Sequence, residues 1–149
     1  MAGASIKIDI DDRDVRDYLN RLAQSLANLR PVMADIGEEV MIQTKSRIES
    51  GGPAPDGFAW PPLSPEYARR KAQLGAGNMP ILVLHGDLLR SIHYEATDLE
   101  VEIGTDRVYG AAHQFGRPDI HLPPRPYLGL SASDKAKVIS ILRRWLSRP

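Results

Sequence analysis

The sequence predicts an α+β fold: a small antiparallel or mixed sheet packed with two N-terminal helices and one C-terminal helix, interrupted by long Pro/Gly-rich loops. Three observations carry this. Apolar residues recur at helical spacing near both ends, they alternate in two places, and proline and glycine concentrate in two stretches between. A length of 149 residues suits one domain over 1–149. Such a chain can bury roughly 68–70% of its unfolded surface without disulfides or metals.

The elements follow in order. Ile6, Ile8 and Ile10 alternate with Lys7 and Asp9, which predicts a half-buried strand over 5–10. Asp11 can cap a helix, and Val15, Tyr18, Leu19, Leu22, Leu26 and Leu29 give residues 12–29 an apolar stripe. Pro31 suits the first turn of a second helix, whose stripe is Ile36, Val40, Met41, Thr44 and Ile48. Gly51-Gly52 ends it. Residues 50–80 then hold eleven glycines and prolines, with a short helix expected from Pro65 to about Leu74. Irregular loops longer than about 12–15 residues are uncommon in compact domains. Phe58 and Trp60 lie in this one, so it needs a surface to bury against.

The run 81–84 is apolar, and Gly86 follows. Residues 91–96 and 99–103 alternate around Thr97-Asp98, which predicts a β-hairpin closed by Gly104. Tyr109 to Phe115 suits one helical turn, and 113–127 is a second irregular arm with four prolines. Ser131 and Asp134 form a capping-box-like start. Val138, Ile141, Leu142, Trp145 and Leu146 make the apolar face of a last helix, 132–147.

Composition excludes several functions. With no cysteine, disulfide scaffolds, thiolate metal sites and cysteine nucleophiles are absent. Lys+Arg and Asp+Glu are 19 each, so the chain as a whole lacks the basic excess of a generic nucleic-acid binder. Charge is uneven, however: seven basic residues face two acidic ones from Arg117 onward, and the first fifty residues are slightly acidic. That distribution suits self-association through complementary patches, or simply solvated helix faces. The start MAGASIKIDI lacks the apolar core of a signal peptide, and no run approaches the ~20 residues of a membrane span. The expectation is a protein made and folded in the cytosol, with no membrane partner.

Candidate chemistry is sparse. His85, His93, His113 and His121 include no pair at i, i+4, and there is no HExxH, GxSxG, GxGxxG or P-loop. His113 and His121 flank the second arm and could meet on a metal, but surface or interface roles are commoner. Ser91 and His93 should face away from the core, and Glu38-Glu39 should lie on a solvated helix face. No catalytic residue, metal or cofactor is assigned, and the chain is expected not to be an enzyme.

The unusual residues are glycines, prolines and aromatics in four clusters. These are Gly57-Phe58-Ala59-Trp60-Pro61-Pro62-Leu63-Ser64; Ile81-Leu82 with His85-Gly86-Asp87-Leu88-Leu89-Arg90-Ser91-Ile92; Val101-Glu102-Ile103-Gly104-Thr105 with Tyr109-Gly110-Ala111-Ala112-His113-Gln114-Phe115-Gly116; and Leu122-Pro123-Pro124-Arg125-Pro126-Tyr127-Leu128-Gly129-Leu130-Ser131. In this order they resemble the phage virion morphogenesis family, the tail-completion proteins of Mu-like and P2-like phages. That family carries G-x-x-W-x-P-L-S, I-L-x-x-x-G-x-L-x-x-S-I, Y-A-x-x-H-Q-x-G and P-x-R-P-x-L-G-L-S. Here Gly110 stands where Ala is usual, and Pro124 where Ala is common. The resemblance covers roughly residues 10–147. The last two clusters are also similar to small head–tail connector and tail-terminator proteins.

The resemblance implies a structural subunit of the head–tail neck. It would act in tail completion and head–tail joining, within a commonly hexameric ring around the DNA channel. The implied partners are other copies of the chain, tail-tube or neck proteins, and DNA passing without base readout. The implied location is the virion, after assembly in the host cytoplasm. A ring gives the two arms a role: 53–64 and 113–127 would reach a neighbouring subunit. Phe58, Trp60, Leu63, Tyr109, His113, Phe115, Arg125, Tyr127 and Leu128 are the interface candidates. Gly57, Gly86, Gly104, Gly116 and Gly129 would make turns, with Gly110 allowing another. Arg143, Arg144 and Arg148 would face DNA or a partner. For Trp60 and Tyr127 a second reading stays open, as ordinary core residues. The alternative function is a small DNA-associated or regulatory protein using the basic C-terminal helix, with salt-sensitive affinity as its sign.

Overall fold

The computed structural model describes residues 2–5, 17, 20 and 27–147. The strand expected over 5–10 and the helix expected over 12–29 lie for the most part outside these residues. In chain order the elements are β1 (Ala2–Ser5), α1 (Arg30–Ser50), α2 (Pro65–Gln73), α3 (Asp87–Ser91), β2 (His93–Ala96), β3 (Glu100–Gly104), α4 (Val108–Phe115), a 3-10 turn (Pro118–Ile120) and α5 (Ala132–Leu146). The fold is α+β.

β3 is the middle of a three-stranded antiparallel sheet in the order β1-β3-β2. β2 and β3 form the expected hairpin, with Tyr94 opposite Ile103 and Ala96 opposite Val101. Its turn is closed by Thr97 N–H donating to Glu100 O at 2.8 Å. Val101 and Ile103 are buried, while Leu99 falls in the turn and is exposed. The pattern placed Leu99 in the strand because it continues the alternation, but the turn takes it out of the ladder.

α1 is the central element: it packs against β2 and β3 on one side and α5 on another. Its buried face is Val32, Met33, Ile36, Gly37, Val40, Thr44 and Ile48, the expected stripe widened by a turn. Thr44 is tolerated inside because its hydroxyl donates to Val40 O at 2.8 Å. Gly37 lets the helix lie directly on the sheet. A Cβ there would sit 2.5 Å from Tyr94 Cδ2 and 2.8 Å from Val101 Cγ2. Pro31 starts the helix and Gly51, in the left-handed region, ends it. α5 opens with a full capping box between Ser131 and Asp134, and buries Ile141 against α1. Val138, Leu142 and Trp145 pack partly against the core, whereas Leu146 is exposed.

The apolar run 81–84 is a turn-rich descent into α3, with Leu82 and Val83 buried and no strand formed. α2 is held by one internal staple. Lys71 is buried and its Nζ donates to Met79 O (3.1 Å) and Pro80 O (2.6 Å), tying the loop after the helix back onto it. Burial pushes the Lys71 ammonium below its usual range.

Of the expected turn glycines, Gly57, Gly86, Gly116 and Gly129 have positive φ. Gly104 does not: it is the last residue of β3, buried, and paired with His93. Gly110 is likewise no turn residue, since it sits inside α4.

Candidate subunit interface and the knot behind it

The two irregular arms were expected to reach a neighbouring subunit, and within the chain they close on each other. Arg125 on the second arm is buried, and its guanidinium donates to Pro61 O and Pro62 O of the first arm, both at 2.8 Å. Trp60 returns the connection: its Nε1 donates to Pro126 O at 2.8 Å. Proline carbonyls suit this use, because a proline-rich segment has acceptors and few donors of its own.

α4 supplies the next layer. Gln114 acts as a clamp on the extended piece after the arm. Its Oε1 accepts from Tyr127 N (3.0 Å) and Leu128 N (2.9 Å), and its Nε2 donates to Leu128 O (3.2 Å). Arg125 N donates to His113 O at 2.7 Å. The Tyr127 hydroxyl donates to Gly110 O at 2.8 Å. Gly110 is required by that approach: a Cβ there would lie 2.9 Å from the Tyr127 oxygen and would collide with Thr105 Cγ2. Gly116 ends α4 at φ 76°, where a Cβ would meet Pro124 N at 2.8 Å and Leu122 O at 2.9 Å.

Arg47 of α1 ties the knot to the core. Its Nη1 donates to Tyr127 O and its Nη2 to Asp134 Oδ2, both at 2.8 Å. The Arg47–Asp134 ion pair is buried on both sides. Asp134 Oδ2 also accepts from Ser131 N at 3.0 Å, so one carboxylate caps α5 and neutralises Arg47 together.

Trp60, Arg125 and Tyr127 are therefore internal residues: Trp60 is 6% exposed and Tyr127 1%. Arg125 and Trp60 each donate to carbonyls of the other arm, Tyr127 donates to Gly110 O, and Trp60 and Tyr127 follow the reading as core residues. Burial pushes the Tyr127 phenol up to about 12, with the Tyr109 ring hydroxyl adding a smaller push. Burial lowers the Arg125 guanidinium, which stays charged.

The other candidates divide. Phe58 (75% exposed) and Phe115 (76%) project into solvent, and Val108, which was not singled out, is 94% exposed. Leu63 and Leu128 are half-buried. Tyr109 is partly exposed and meets His113 edge-on, with ring centroids 6.0 Å apart. His113 Nδ1 is buried with no hydrogen-bond partner. Burial, and secondarily Arg125, holds the His113 imidazole below its usual range, so it is neutral near pH 7. Arg143 and Arg144 are exposed on α5, and Arg144 borders a notch that also holds Asp35, Glu38 and Glu39. Arg148 lies outside the described residues.

In front of the knot lies a groove of about 650 Å³. Leu63, Tyr109, His113 and Arg125 line it, with Ile81, Leu84, His85, Ile120, His121 and Pro123 among their neighbours. It thus brings together four of the nine interface candidates. His113 and His121 share its wall, but among the described residues no group of three or more His, Cys, Asp or Glu side chains could hold a metal ion. Ser91 lies off any triad, because its hydroxyl is engaged by Leu88 O and Thr105 Oγ1. Among the described residues no helix is long and apolar enough to cross a membrane.

Sequence reasoning missed Arg47 and the role of Gln114. Arg47 is one cation on an amphipathic helix, and nothing local marks it. Gln114 lies inside the third cluster, where its place beside His113 and Phe115 was the available signal.

Comparison with known proteins agrees with the clusters. The profile of the phage virion morphogenesis family matches residues 10–147. Among similar proteins are "Putative capsid assembly protein G" of Escherichia phage Mu, 26% identical and covering 95% of this chain and 94% of the relative, and two from Haemophilus influenzae. These are "Mu-like prophage FluMu G protein 1", 34% identical over 95% of each chain, and "Mu-like prophage FluMu G protein 2", 29% identical over 90% of this chain and 91% of the relative. No solved structure matches. With nearly its whole length matched, and with the knot built from the residues that mark the pattern, this chain belongs to the phage virion morphogenesis family.

Proposed function

We propose that this protein is a structural subunit of the head–tail neck, acting in tail completion and head–tail joining as one member of a closed ring of about six copies around the DNA channel. The observation that carries the reading is a rigid subunit with unspent apolar surface. The arms are joined by the knot, yet Phe58 on its loop and Val108 and Phe115 at the two ends of α4 are exposed. Large apolar side chains held out of the core mark association surfaces when they cluster. Repeated head-to-tail contact closes into a ring when the rotation closes. The Mu relative's printed name points to capsid assembly. A neck subunit serves heads and tails alike, so it fits that name and the family's tail-completion character together.

DNA would pass through the ring without base readout. Arg143 and Arg144 on α5, with Arg148 beyond it, are the basic residues offered to DNA or to a neighbouring neck protein. The DNA-binding alternative is less favoured: Lys137 pairs with Glu39 at 3.5 Å, and Arg144 borders acidic residues of α1.

The test is the mass of the purified full chain by light scattering behind a sizing column, with negative-stain images of the same fraction and of wild-type-complemented tails. Rings with a central hole, free or on tail ends, support the reading. A monomer that binds neither tails nor heads, and fails to restore plaques to a phage lacking its own copy, overturns it.

A further inference from the structure

We propose that the groove beside the knot receives a second copy of this chain, and that the inserted element is the Phe58 loop. The inference rests on the ring reading above and names the contact that would build it.

Residues 54–58 form a knuckle. Ala54 N donates to Phe58 O and Gly57 N to Ala54 O, both at 2.9 Å, while Phe58 N donates to Asp56 Oδ1 at 3.1 Å. Ala54 anchors the knuckle in the core, and Phe58 stands on it 75% exposed. A preorganised aromatic loses little conformational entropy on docking, so nearly all of its apolar contact is available for binding. Phe58 does not line the groove of its own subunit.

The groove suits this occupant in shape and charge. Its volume of about 650 Å³ lies in the range of sites that accept a large side chain with its flanking backbone. Leu63, Leu84, Tyr109, Ile120 and Pro123 offer apolar contact. Arg125 lies in the wall, buried there with Nε and Nη2 on Pro61 O and Pro62 O, and among the described residues no carboxylate balances its charge. Asp87, also in the wall, is taken by Arg90 at 2.8 Å. The knuckle brings what is missing: Asp56, two residues before Phe58, is exposed and has no ion-pair partner among the described residues. A convex element and a different concave one on the same subunit give a head-to-tail contact, the kind a ring needs.

The chain has no cysteine, so single cysteines report the contact directly. Phe58→Cys and Ile120→Cys are both exposed positions, and Ile120 lines the groove. A short bismaleimide should link the two variants when mixed and give little product with either alone. Phe58→Asp should lower ring affinity at least ~30-fold, the effect of losing an interface anchor, with an unchanged melting temperature. Linkage of Phe58→Cys only to itself overturns the proposal. So do rings that stay unlinked in the mixture, or rings of Phe58→Asp that persist but no longer attach to tails, which would give the knuckle to another protein. In each of these cases the wild-type ring survives and only the groove assignment falls. A wild type that forms no ring in solution or on tail ends removes both readings.

Discussion

At Tyr127, one hydroxyl shows how the site is held. Its proton is committed to Gly110 O inside the subunit, and burial raises the phenol to about 12 against about 10 in an unfolded chain. The folded state therefore favours the protonated form. This contribution is fully present below pH 10 and is lost as pH rises through 12, roughly 2–3 kcal/mol in all. Chemical denaturation from pH 8 to 11.5 should show stability falling with pH, and Tyr127→Phe should flatten that slope. Gly110 is the matching steric residue. Gly110→Ala should cost about 1–3 kcal/mol in urea melts, because the added methyl meets Thr105 and the Tyr127 oxygen. Thr105→Ser removes the nearest of those atoms, so the double variant should recover part of the loss.

Among the elements, legibility followed locality. α1, α2, α5 and the β2–β3 hairpin were readable because stripe, alternation, Pro and Gly punctuation and the Ser131–Asp134 cap are written within a few residues of where they act. The contact between the arms was not legible for the opposite reason. Their hydrogen bonds join residues 66 and 64 positions apart, as in Trp60 to Pro126 and Arg125 to Pro61. No window of sequence shows that the carbonyls of one arm match the donors of the other. Leu63 and Tyr109 line one groove, and Trp60 and Tyr127 followed the core reading. Arg47 is the sharpest test at this scale. Arg47→Ala leaves Asp134 charged, buried and unpaired, and should cost about 3–5 kcal/mol by denaturant melt. Adding Asp134→Asn should return much of that by removing the stranded charge.

For the whole molecule, the division is between an interior knot of hydrogen-bonded polar groups and the exposed apolar side chains Phe58, Val108 and Phe115. Val108 and Phe115, exposed at the two ends of α4, should add apolar burial to the contact made by Phe58. Val108→Ser with Phe115→Ser should reduce the ring fraction in light scattering while shifting monomer stability by no more than about 0.5 kcal/mol, as expected for exposed positions. Raising salt from 50 to 500 mM should weaken wild-type assembly only in part, because screening acts on the Asp56–Arg125 pairing and leaves the apolar contacts in place.

Arg47 also sets a schedule. It holds Tyr127 and Asp134, which follow it by 80 and 87 positions, and the knot that shapes the groove depends on both. Contacts closing loops of that length form late, after the loop-closure entropy has been met by other parts of the fold. During synthesis, α1 leaves the ribosome long before Tyr127 and Asp134 exist, so a chain cut short of them lacks both Arg47 contacts. The knuckle at Phe58 comes before the groove in the chain, whose walls run from Pro62 to Arg125. On the proposed contact, a growing chain could therefore offer its knuckle before its own groove is closed.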